Sequence, residues 1–199
     1  MITNNEGNNY NGLDNEEVVQ TLDRINFWIH NCDTKISFAL AFAGVIVAGF
    51  FSSSIITNSL TKLVKNTIKI YTITRWWEIT GLLTSILVLI IFFICIITAM
   101  VYLFMGLKGS IDTSLYKEKE LSTDSLLYFG SIANQTFQSY KHKAITNTGG
   151  QIYNDYLSQV YINSKLCKNK FLFLNKGVKY LISSIGLFVL LNILFLFIK

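Results

Sequence analysis

His30, Cys32 and Asp33 are a base, a nucleophile and a carboxylate within one short stretch of chain. Nucleophilic catalysis needs such groups to converge on one point. At about 3.6 residues per helical turn, three residues so close on one helix face different ways. The trio is therefore read as incidental. Cys32, Cys95 and Cys167 are odd in number, with no CxxC or Cys/His spacing, and Cys95 lies inside an apolar block. Neither a disulfide framework nor a zinc site is expected. GxxxxGK[ST], GxGxxG, HExxH and GxSxG are all missing from the sequence. No catalytic residue, metal or cofactor is assigned, and nothing suggests an enzyme. Asn192 is the strong polar group deep in an apolar block, where an interhelical hydrogen bond is its expected role.

The elements that hold these residues are set by where the apolar side chains fall. Of 199 residues, 51% are hydrophobic and 15% are charged, against about a quarter charged in an ordinary soluble domain. Residues 36–61, 79–107 and 180–198 contain no charged side chain. A helix crosses a hydrocarbon core of about 30 Å with about 20 apolar residues, so each block is long enough, or nearly so, to span. The chain has no proline, which removes the commonest helix breaker. The expected fold is an all-α membrane protein. It has three transmembrane helices and a small helical region, on the cytoplasmic side, continuous with the first and last spans.

The expected order is a mobile N-terminus at 1–15, a pre-membrane helix at 16–35, the first span at 36–61 and a short loop at 62–78. The second span at 79–107, the helical region at 108–179 and the third span at 180–198 follow. Residues 1–35 lack a basic start and an apolar core, so no signal peptide is expected. Trp76 and Trp77 beside Arg75 suit a membrane interface. Ten lysines and arginines lie near the span ends on the side of the large polar region. The other side has Lys62, Lys65, Lys69, Arg75 and Lys199. The count favours a cytoplasmic polar region, although the five are the more densely spaced. The net charge of +5 sits beside apolar blocks, so it is read as membrane-proximal rather than as a nucleic-acid footprint.

Within the first span, Ser37, Ala41, Gly44, Ala48 and Ser52 recur every three or four residues. Such a stripe is a packing seam in lipid, either within the chain or between protomers. Leu63, Val64, Ile68 and Tyr71 opposite Lys62, Lys65 and Lys69 suit either an interfacial helix or the end of the first helix. Thr123 or Asp124 is a candidate cap for a helix running through Leu126, Gly130, Ala133, Phe137 and Tyr140. Residues 141–150 read as a polar loop. A last helix of up to about 48 residues, about 72 Å long, begins near Gln151, with Gly177 as its kink point.

Three runs are distinctive when taken together. The first has Asn26, Trp28, Ile29, Asp33 and Lys35 entering a span. The second is Phe129, Gly130, Ile132 and Ala133. The third is Gln151, Ile152 and Tyr153, leading through Lys165 and Lys170 into the last span. In this order the runs resemble the transmembrane effector family of bacterial Pycsar anti-phage systems; Cys32 and Ile36 depart from the family pattern at the membrane entry.

The resemblance implies a homo-oligomeric, multi-pass effector in the bacterial inner membrane. A partner cyclase makes a cyclic pyrimidine mononucleotide, cCMP or cUMP, on infection. The effector senses it, impairs the host bilayer and aborts the infection. Such a ligand carries a phosphate, which suits lysines or helix N-terminal N–H groups, and a base, which suits aromatic faces and amides. The candidates are Asp33, Lys35, Lys165 and Lys170 among charged residues. Phe129, Gly130 and Tyr153, and the polar Ser131, Asn134, Gln151 and Asn154, complete the set. A constitutive channel or transporter, and a scaffold anchoring a partner protein, are the rival readings.

Overall fold

A computed structural model describes residues 12–68, 76–109, 121 and 124–197. The asparagine-rich start, the 110–120 connector, Thr123, Lys69, Arg75 and Lys199 lie outside the described residues. Those described form helices α1 (Asn15–Ser52), α2 (Ser54–Ile68), α3 (Trp76–Lys108), α4 (Phe129–Ala133), α5 (Phe137–Thr146) and α6 (Gly149–Phe197), with no strand among them.

The chain divides into two compact units, one of residues 1–30 and 110–168, the other of 31–109 and 169–199. Helices α1 and α6 each contribute to both. α1 starts at a reciprocal cap: Asp14 Oδ1 accepts the Glu17 N–H at 2.7 Å, and Glu17 Oε2 accepts the Asp14 N–H at 3.0 Å. From there it runs without a break to Ser52, so the pre-membrane helix and the start of the first span are one element. The expected span at 36–61 is interrupted at Ser53, after which α2 begins. The last helix is 49 residues long and unbroken through Gly177.

In the membrane unit the core is aliphatic and aromatic. Phe50 of α1 stacks on Phe92 of α3 at 5.3 Å between ring centres and meets Phe93 edge-on at 5.2 Å. Ile46, Ile56, Ile96, Leu191 and Phe195 close around them. Gly177 lies against α3: a Cβ there would stand 2.7 Å from Leu103 Cγ and 3.3 Å from the Ala99 carbonyl oxygen. Its role is a close crossing, with α6 remaining helical through it.

Several hydroxyl and amide side chains in this unit bond back to their own helices, as an apolar solvent demands. Ser85 Oγ donates to the Gly81 carbonyl at 2.9 Å and Ser184 Oγ to that of Leu181 at 2.7 Å. Asn192 does the same, donating to the Phe188 carbonyl at 2.8 Å. The bond observed lies within its own helix, where an interhelical bond was expected from sequence.

Three helices are long and apolar enough to cross a membrane. In the most apolar stretch of the second, 28% of residues are buried. Leu87, Ile90, Ile94 and Ile97 of α3 stay more than half exposed. A soluble fold does not leave such a continuous apolar face uncovered; lipid is its solvent.

Candidate functional site

The polar unit is organised by the first half of α6. Asp155, Ser158, Gln159 and Ile162 are buried on that helix. Asp155 Oδ2 accepts the Leu126 N–H at 2.8 Å, which anchors the segment preceding α4. Ser125 Oγ accepts the N–H groups of Leu127 and Tyr128 at 3.0 and 2.9 Å, and Gln159 Nε2 reaches the same oxygen at 3.3 Å. Ser125 therefore makes a side-chain turn just before α4. Asp124 does not cap a helix. Its carboxylate takes Gln135 Nε2 at 3.1 Å and pairs with Lys143.

The helix expected through 126–140 is thus two pieces. α4 stops at Ala133, and α5 starts afresh at Thr136, whose Oγ1 accepts the Ser139 N–H at 3.3 Å. α5 extends to Thr146, so much of the polar tract read as a loop is helical and carries Lys143.

A cleft of about 520 Å³ opens in this unit. Its charged lining is Asp124, Lys143 and Asp155, and its amides are Asn147, Gln151 and Asn154. Leu126 and Thr146 complete the wall. The volume falls within the range of about 300–1,000 Å³ that small-molecule sites occupy. Asp155 is 3% exposed, and its Oδ1 has no hydrogen-bond partner among the described residues. Chemically, the cleft offers a cation for an anion, a carboxylate oxygen for a donor, and amides that both give and accept. Among the described residues no cluster of histidine, cysteine and acidic side chains could hold a metal ion.

The candidate residues named from sequence disperse. Gln151 and Asn154 line the cleft; the Gln151 side-chain oxygen also accepts the Thr148 N–H at 3.0 Å, at the start of α6. Tyr153 donates its hydroxyl to the Leu13 carbonyl at 2.7 Å, tying α6 to the chain just before α1. Phe129 and Asn134 are exposed on and after α4, while Gly130 and Ser131 are half-buried. Gly130 packs on the Tyr128 ring, and the Ser131 carbonyl accepts Gln135 Nε2 at 3.1 Å. Lys165 is exposed and lies 5.0 Å over the Tyr161 ring of its own helix.

Asp33, Lys35 and Lys170 belong to the other unit. Lys35 is exposed there. Lys170 is 5% exposed, pairs with Asp33 and donates to the Gly106 carbonyl at 3.2 Å near the end of α3. Beside it Gly109 adopts φ +57°, the left-handed geometry that ends a helix without a Cβ clash. This cluster fastens α1, α3 and α6 to one another. Ser37, Ala41, Gly44, Ala48 and Ser52 are all exposed; α1 buries Ile36, Ala43, Ile46 and Phe50 instead. Within the chain the small-residue stripe faces outward.

Sequence reasoning missed Asp124, Lys143 and Asp155. Asp155 carried one signal: it lies one helical turn after Gln151, on the same face. Lys143 carried none once its segment was read as a loop.

Three span-length apolar helices joined to a polar unit with a small-molecule-sized cleft define a helical membrane protein. Residues 17–198 match the Pycsar effector protein domain, and the chain belongs to that family. It is 54% identical over 182 residues to the Pycsar effector protein GmPycTM of Gulbenkiania mobilis, covering 92% of this chain and 93% of that protein. No solved structure matches the chain.

Proposed function

We propose that this antiphage effector is switched by a cyclic pyrimidine mononucleotide, cCMP or cUMP, made by a partner cyclase when a phage infects the cell. The ligand reaches the polar unit from the cytoplasm. Ligand binding makes the inner membrane permeable and the infection aborts. The observation that carries this reading is the family match, which extends across both the polar unit and the spans.

Two long helices support this reading. α1 and α6 run through both units, so a change at their polar ends is transmitted along unbroken backbone. A ligand shifts such an equilibrium through unequal affinity for its two states. The outward stripe from Ser37 to Ser52 is the surface along which copies then associate, since small residues let helices approach closely in lipid.

Dye release from liposomes carrying the purified protein tests the reading. Leakage is expected on adding cCMP or cUMP but not cAMP or cGMP, with ligand-dependent cross-linking between copies. Equal leakage without nucleotide would instead mark a constitutive channel. No leakage under any condition, with a stable protein partner captured from cells, would mark a scaffold.

A further inference from the structure

Asp155 is hard to account for as structure alone. One oxygen accepts the Leu126 N–H, but the buried Oδ1 accepts nothing among the described residues. A buried carboxyl oxygen without a donor is costly, and a donor brought to it through the cleft that Asp155 lines relieves that cost. Lys143, in the same cleft, is held differently. Its side chain is 37% exposed and that of Asp124 is 60% exposed, so the pair is weak and exchangeable.

Resting on the reading of the protein as a cyclic-nucleotide effector, we propose that this cleft is the nucleotide site, with Lys143 leaving Asp124 for the cyclic phosphate and Asp155 Oδ1 accepting an N–H of the pyrimidine edge. Cytosine offers its exocyclic amino group and uracil its N3–H, so both bases carry the required donor. The amides of Gln151 and Asn154 meet the remaining donors and acceptors of the base. Asp124 competes with the phosphate for Lys143, and its carboxylate therefore raises the ligand concentration needed for binding.

Titration calorimetry of the full-length protein in detergent, with cCMP, cUMP and their 2′-deoxy forms, tests this. Lys143→Ala is expected to weaken binding about tenfold or more, the scale of a charge-assisted hydrogen bond. Asp155→Asn can still accept the Leu126 N–H but presents an amide in place of the free carboxylate oxygen, and a similar loss is expected. Asp124→Asn is expected to tighten binding, by up to about fivefold, the worth of an exposed pair.

Lys143→Ala and Asp124→Asn break the same ion pair, so a purely structural effect would move both affinities in one direction. The 2′-deoxy nucleotides are expected to bind like their parents. If they lose as much as Asp155→Asn does, and the two losses do not add, Asp155 holds the ribose and the base assignment is wrong. Nucleotide binding that none of the three substitutions alters places the site elsewhere and leaves the functional reading intact. Failure of the parent protein to bind either cyclic pyrimidine nucleotide overturns that reading and this site together.

Discussion

Two lysine–aspartate pairs among the described residues show how surroundings decide what the same chemistry does. In the membrane unit Lys170 is almost wholly enclosed, and its ammonium has both the Asp33 carboxylate and the Gly106 carbonyl. In the polar unit Lys143 and Asp124 meet at the rim of a cleft with water on both. Coulomb attraction is strong where the dielectric is low and weak where it is high. Leaving one charge of an enclosed pair unpartnered is costly, whereas leaving one charge of an exposed pair unpartnered is nearly free. The first pair is built to stay closed, and the second can open at little cost.

The largest effect should come from Lys170→Ala, which leaves Asp33 and the Gly106 carbonyl without their cation. A loss of about 2–4 kcal/mol is expected, less than for a fully buried pair because the Asp33 side chain left behind is 34% exposed, read as a lower midpoint in thermal unfolding of the detergent-solubilised protein. If the variant melts with the parent, Lys170 is not the fastening described here. Gly177→Ala comes next. The added methyl meets Leu103 and the α3 backbone, and about 1–3 kcal/mol should be lost in the same measurement.

Thr136→Ala removes the cap of the helix that carries Lys143, at a cost of about 1 kcal/mol. Hydrogen exchange should quicken over α5 and stay unchanged over the spans. The smallest effect on stability is expected from Lys143→Ala, at most about 1 kcal/mol. Raising the salt concentration should shrink it further. A drop as large as that for Lys170→Ala would erase the distinction between the two pairs.

The membrane architecture was legible in the sequence at the level of composition. Three charge-free blocks and the absence of proline suffice for long helices in lipid, because hydropathy acts through near neighbours. Legibility failed where a residue's role depends on a distant segment. Asp33 and Lys170 were named as separate charges, and nothing local in the sequence shows that, 137 residues apart, they pair with each other. Asn192 was assigned to a neighbouring helix, though its own backbone was nearer. The continuous helix through 126–140 was broken by Ser125 and Thr136, whose hydroxyls bind backbone N–H groups that a helix would have used.

The sequence alone determined that the chain lives in a bilayer, that its first and last helices are long, and which effector family it resembles. These follow from local composition and pattern, which survive any arrangement of the helices. Only the tertiary structure decided which lysine is fastened and which is exchangeable, which face of α1 is covered, and that Asp124, Lys143 and Asp155 line one cleft. The physical reason is that burial and partnership belong to the packed molecule: a side chain acquires them only when segments remote in sequence close around it.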